Sequence, residues 1–103
     1  MRRPRVEVLF IEGCPNYIGA RALVERVAED LRVASDVYSI EVRTADEAEA
    51  LRFLGSPTIR VDGRDIEPGS DRRRDFALAC RVYGGVGGQP REDWVRAALE
   101  AAA

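Results

Sequence analysis

The sequence contains no histidine and no lysine, and these two absences exclude several kinds of chemistry. Without histidine there is no Ser-His or Cys-His catalysis, no imidazole general base and no His-ligated metal site. Without lysine there is no side-chain amine to form a Schiff base or to act as a base. All 16 cationic side chains are therefore arginines. Any nucleophile in this chain must be activated by another kind of group.

Charge and composition narrow the class of protein further. The chain of 103 residues has 16 basic and 18 acidic side chains, for a net charge of -2. Such a balanced, mildly acidic chain is a poor candidate for binding nucleic acid or an anionic membrane surface. Its content of 46% hydrophobic and 33% charged residues is typical of a folded protein. The length predicts a single domain, residues 1–103.

Long apolar runs are missing as well. The run that follows Arg5 has only about six residues and leads directly into "EGCP", which is unlike a signal peptide. No segment approaches the length of a membrane span. Two cysteines without an export signal predict a cytoplasmic protein whose thiols serve chemistry or packing. Nothing in the sequence indicates a bound organic cofactor.

The first third of the chain predicts a strand, a turn and a helix. The stretch "RVEVLFI" predicts a strand from Val6 to Ile11, and its almost continuous apolar character indicates a central strand covered on both faces. Apolar residues that recur three and four positions apart predict a helix from Ile18 to Leu31. Pro15 suits the first helical turn, which places Cys14 at or beside the N-cap.

A second strand and a short helix follow. Alternating residues predict a strand from Val37 to Arg43. Thr44 then predicts a helix N-cap, with Glu47 three residues later as its capping-box partner, and Gly55 predicts the end of that helix.

The rest of the chain predicts a hairpin, an insert and a terminal helix. The segments Thr58–Val61 and Arg64–Glu67 flank Asp62-Gly63, which is a hairpin signature. The stretch "FALACRVY" predicts a short added strand from Leu78 to Tyr83, and "GGVGG" predicts a flexible turn. The residues after Pro90 predict a terminal helix.

These elements follow the order β-α-β-α-β-β-(insert)-α. A βαβ unit needs a parallel crossover, whereas the hairpin is antiparallel, so the order predicts a three-layer α/β fold with a mixed four-stranded sheet.

This order resembles the thioredoxin fold, in which a cysteine caps the first helix and a cis-proline precedes the third strand. "GCP" and "GSPT" place Cys14 and Pro57 at those positions, and the resemblance extends from Val6 to about Leu99. The pattern "EGCPN…GSPT…VDG…CRVY" is similar to small bacterial thioredoxin-like proteins, some of them catalogued beside alkylmercury lyases. Relatives of that group can have selenocysteine at the Cys14 position. Thioredoxins themselves have a second cysteine where this chain has Tyr17.

Cys14 is the candidate nucleophile. A thiolate at a helix N-terminus is stabilised by unpaired backbone N–H groups and by the positive end of the helix dipole, so it needs no histidine. Pro15 removes one of those N–H groups, and the following ones stay available. The alternative is a small buried residue in a tight loop. Tyr17 is a candidate to stack or hydrogen-bond near the sulfur, or is simply half-buried.

The resemblance implies a substrate-binding role for five residues, Pro15, Tyr17, Ser56, Pro57 and Thr58. A cis-proline would leave the preceding N–H and C=O free to pair with an extended peptide or a mixed-disulfide partner. Cys80 is the candidate resolving thiol or second soft-metal ligand, and a packed apolar cysteine is the alternative.

Three functions remain open at this point. The first is a thiol-dependent redox protein in which Cys14 attacks a disulfide or peroxide and is resolved by Cys80 or by an external thiol such as glutathione. The second is a protein that binds mercury or copper through two thiolates. The third is a catalytically inactive thioredoxin-like module that binds partners at the edge beside Pro57. The expected partners are protein or low-molecular-weight thiols and disulfides.

Overall fold

A computed structural model describes residues 3–81 and 89–103. The elements follow the predicted order, with one 3₁₀ turn inside the insert. They are β1 (Arg5–Phe10), α1 (Tyr17–Leu31), β2 (Asp36–Glu41), α2 (Ala45–Ala50), β3 (Thr58–Val61), β4 (Arg64–Asp65), the 3₁₀ turn Ser70–Arg72 and α3 (Glu92–Ala102).

The four strands form one mixed sheet, as predicted, and their order across it is β2-β1-β3-β4. β1 and β2 are parallel, because α1 carries the chain back to the same end of the sheet. β3 is antiparallel to β1, with Thr58 opposite Leu9. The hairpin turn uses Asp62 and Gly63, whose φ angles of 51° and 83° are those of a two-residue turn.

Helices cover both faces of the sheet, as the apolar character of β1 predicts. Val6 and Val8 point to one face, where they pack with residues of α1 and α3. Leu9 points to the other face and packs with Ala48 of α2 and with Phe53, which is fully buried. This alternation follows from the two-residue period of a strand.

Several predicted boundaries are wrong by a few residues. α1 begins at Tyr17 with Asn16 as its N-cap, so Cys14 and Pro15 precede the helix rather than cap it. α2 does begin after a Thr44 cap, whose hydroxyl accepts a hydrogen bond from the Glu47 N–H, but it ends at Ala50 and not at Gly55. β2 ends at Glu41 and β4 at Asp65, each two residues before the predicted limit.

The predicted strand from Leu78 to Tyr83 is reduced to a single parallel bridge between Ser56 and Cys80. Tyr83 and the predicted "GGVGG" turn lie outside the described residues. Among the helices of the described ranges, none has both the length and the apolar character that a membrane span requires.

Candidate functional site

Cys14 lies in the turn that joins β1 to α1. Its N–H donates to the carbonyl oxygen of Ile11 at 3.2 Å, and its own carbonyl accepts a long 3.5 Å contact from the Tyr17 N–H. Gly13 provides the positive φ of 77° that this turn needs. The cysteine is half-buried and its thiol is free.

The Ser56–Pro57 peptide bond is cis, as the resemblance predicts. The hydroxyl oxygen of Ser56 accepts a hydrogen bond from the Ile11 N–H at 3.1 Å. Ile11 therefore contacts both halves of the site, since its carbonyl holds the Cys14 turn and its N–H holds Ser56.

Residues 77–81, which we call the strap, lie along this loop. The Ser56 N–H donates to the Ala79 carbonyl at 2.8 Å, and the Arg81 N–H donates to the Ser56 carbonyl at 2.9 Å. The Ala77 N–H adds a third bond, to the Phe53 carbonyl at 3.1 Å. Cys80 is the bridge partner of Ser56, and it is exposed with a free thiol.

Arg81 anchors the strap through a guanidinium group that is only 1% exposed. It donates to both carboxylate oxygens of Asp65, at 2.7 and 2.9 Å, and to Glu67 at 3.1 Å. It also donates to the hydroxyl of Thr58 at 3.1 Å, and that hydroxyl in turn donates to the Gly55 carbonyl. A buried arginine needs such partners, because an uncompensated charge is costly to remove from water.

Glu67 is shared between two arginines. Burial by itself would raise the pKa of its carboxyl group, but hydrogen bonds from Arg81 and Arg73, together with their charges, bring the net pKa below its ordinary value. Arg73 donates two bonds to Glu67, both at 3.0 Å, and pairs with Asp75 as well. The Glu67 carboxyl group therefore stays ionised at neutral pH.

Gly55 allows the strap to approach this closely. A Cβ at this position would lie 2.9 Å from the Arg81 Cβ and 3.1 Å from the Ala79 carbonyl oxygen. The φ of 117° also favours glycine. The sequence predicts Gly55 as the end of α2, but in the structure Gly55 lies against the strap.

The start of α1 makes polar contacts that the sequence did not reveal. Asn16 makes no capping hydrogen bond with its side chain, whose carbonyl oxygen instead accepts from the Gln89 amide at 3.1 Å. Tyr17 is half-buried, and its ring stacks on Phe10 with the centroids 4.0 Å apart. Its hydroxyl donates to Ser39 at 2.6 Å. The polar atom of Tyr17 is thus directed to β2.

The structure brings most of the predicted site residues to one region. Ser56 contacts the strap that carries Cys80, and Ile11 joins Ser56 to the Cys14 turn. Ser56, Pro57 and Thr58 are all buried, with the strap against them, whereas Pro15 is exposed in its turn. Residues 3–81 and 89–103 contain no group of three or more side chains able to hold a metal ion.

Arg81, with its carboxylate partners, is the part of the site that sequence reasoning missed. The only signal was the pair Asp65 and Glu67 just after the hairpin turn, and nothing in the sequence links that pair to Arg81, which is 16 and 14 residues further on. Comparison of the chain with protein-family models finds no match, and comparison with curated proteins finds none either.

Proposed function

We propose that this protein is a thioredoxin-like, thiol-dependent redox protein in which Cys14 is the nucleophile and Cys80 the resolving thiol. The observation that carries the proposal is the bridge between Ser56 and Cys80. It holds the second cysteine of the chain against the loop that, through Ile11, also holds the first.

The position of Cys14 supports a reactive thiolate, although the cysteine precedes the helix cap. The first turn of α1 has no acidic side chain, and the Asn16 side chain makes no hydrogen bond to the free N–H groups of that turn. Those N–H groups and the helix dipole favour a negative charge nearby. Partial exposure leaves the sulfur accessible to a reactant.

The reaction takes two displacements. The Cys14 thiolate attacks one sulfur of a disulfide, forming a mixed disulfide and releasing the other sulfur as a thiolate. The Cys80 thiolate then attacks the Cys14 sulfur, forming the Cys14–Cys80 disulfide and releasing the second thiolate. The substrate is reduced by two electrons, and its two thiolates take up the two protons lost by the cysteines. Two molecules of a low-molecular-weight thiol such as glutathione reduce this disulfide by two further exchanges, which return the protein to the dithiol form and join the two thiols in a disulfide.

The two other hypotheses receive less support. A binding module that uses the edge beside Pro57 needs the backbone groups of Ser56, and the strap already occupies both. Binding of mercury or copper by two thiolates requires the same approach of the two sulfur atoms as the redox reaction. The described residues add no third ligand to such a site.

Intact-mass analysis tests the proposal directly. Reduced protein is mixed with one equivalent of oxidised glutathione at pH 7, quenched by alkylation and weighed. We expect the wild type to lose two hydrogen atoms and to yield a linked Cys14–Cys80 peptide. We expect C80S to retain a glutathione adduct at Cys14, because nothing resolves the mixed disulfide.

The control is the double variant C14S and A34C, which keeps Cys80 and moves the first thiol from position 14 to an exposed position between α1 and β2. Its new cysteine should react more slowly than Cys14. The proposal is wrong if the C14S variant is oxidised as fast as the wild type, or if the wild type retains two free thiols throughout.

A further inference from the structure

The strap pairs with the backbone of Ser56 in the way that an added strand would. Extended peptides commonly bind by adding a strand to an exposed edge, through backbone hydrogen bonds. At Ser56 the available groups are its N–H and its C=O, and the strap takes both, through Ala79 and Arg81. The hydroxyl of Ser56 is occupied as well, by the Ile11 N–H.

The strap is also firmly attached. Displacing it breaks the two bonds at Ser56 and the bond between Ala77 and Phe53. It also moves the backbone of Arg81 away from Gly55 and pulls a buried guanidinium group away from Asp65 and Glu67. An incoming peptide would have to replace all of these contacts with its own.

A small reactant does not meet this obstacle. Cys14 is partly exposed in its turn, and Cys80 is exposed in the strap. Ile18, four residues after Cys14 at the start of α1, is 78% exposed. Attack on a disulfide sulfur needs access to the thiolate and no backbone pairing.

Building on the proposed function, we propose that the strap is a specificity-determining element that restricts Cys14 to low-molecular-weight disulfides. With the strap in place, a polypeptide disulfide gains nothing from the backbone of Ser56. Arg81 acts as the positioning residue that keeps the strap there. The covalent chemistry is the pair of displacements given above, with a small disulfide as the oxidant.

The test compares three disulfides in the C80S protein, whose strap hydrogen bonds all come from residues other than Cys80. The probes are oxidised glutathione, an unstructured cysteine peptide linked to glutathione, and the same peptide N-methylated on both sides of its cysteine. The rate at which each forms a mixed disulfide at Cys14 is followed by mass spectrometry. N-methylation removes the N–H groups that an added strand would donate and leaves the disulfide unchanged.

With the strap intact, we expect oxidised glutathione to react at least about tenfold faster than the peptide, and N-methylation to change the peptide rate by less than about twofold. Adding R81M should release the strap and raise the rate at which the peptide disulfide reacts. N-methylation should then slow that reaction by about fivefold for each backbone hydrogen bond lost. The matched control R73M removes another partner of Glu67 without touching the strap bonds, and should behave like the intact protein.

The outcomes separate this inference from the proposed function. A peptide rate that depends on N-methylation while the strap is intact overturns the inference and leaves the redox function standing. If R81M does not fold, this measurement on the intact protein still decides the question. If none of the three probes forms a mixed disulfide at Cys14, the redox function is wrong, and the inference that rests on it is wrong too.

Discussion

Replacing Arg81 by methionine tests whether the buried arginine holds the strap to the sheet. Methionine keeps much of the side-chain volume but removes the charge and every hydrogen bond of the guanidinium group. Asp65 and Glu67 would then remain as carboxylates that are only 11% and 18% exposed, without their shared partner. Thr58 would lose the donor to its hydroxyl oxygen.

The expected cost follows from this burial. Removing one partner of a fully buried ion pair destabilises a protein by roughly 3–5 kcal/mol. The carboxylates here can regain some water once the strap loosens, so we expect about 3 kcal/mol. Chains of this length are stable by roughly 5–15 kcal/mol, so the variant should still fold.

Urea unfolding measures the change, followed by circular dichroism and by the fluorescence of Trp94, the single tryptophan. The control R73M removes a guanidinium group that binds the same Glu67 but is 32% exposed. It should cost only about 0.5 kcal/mol, because a partly exposed ion pair contributes little. Hydrogen exchange supplies a local measure, since the backbone N–H groups at positions 56 and 81 should lose protection in R81M.

The reasoning fails if R81M and R73M destabilise the protein equally, or if both changes lie within about 0.5 kcal/mol of the wild type. It also fails if the Ser56 N–H stays as protected in R81M as the N–H groups within β1. Unchanged protection of the Ser56 N–H would mean that the strap stays in place without the guanidinium group of Arg81.

Three further predictions concern the surroundings of the strap. G55A should destabilise the protein by about 2 kcal/mol more than G63A. Both glycines have a positive φ, but only at Gly55 would the added Cβ meet atoms of the strap. Equal losses in urea unfolding would contradict this. The free energy of unfolding should fall as the pH drops below about 4.5. The pKa of Glu67 is lower in the folded than in the unfolded protein, so its ionised form stabilises the fold, and protonation removes that contribution. E67Q should show a shallower fall, and identical slopes would count against this role. T44A should cost about 1 kcal/mol and T44S much less, because serine keeps the capping oxygen of α2; equal losses would mean that the hydroxyl does not cap the helix.

Much of the fold follows from local sequence signals. The apolar stripe that includes Val24 and Val27 has a helical period, and both residues are fully buried. Asp62-Gly63 specifies a two-residue turn without any help from distant residues. The N-cap of α1 was predicted at or beside Cys14, two residues before the observed cap, although Asn16 is a better N-cap residue than cysteine.

The strap could not be predicted in the same way. A single bridge between Ser56 and Cys80 produces no periodic pattern in the sequence. Arginine is almost never fully buried, so the sequence gives no reason to expect Arg81 in the interior. Its burial depends on Asp65 and Glu67 together, and that arrangement exists only once the hairpin has formed.

The strap also affects whether copies of this protein aggregate at high concentration. An open sheet edge invites strand pairing between molecules, which leads to aggregation. β4 covers the end of β3 at Arg60 and Val61, and the strap covers Ser56 just before its start. Variants that release the strap uncover this second stretch of backbone. They should therefore lose solubility before they lose their secondary structure.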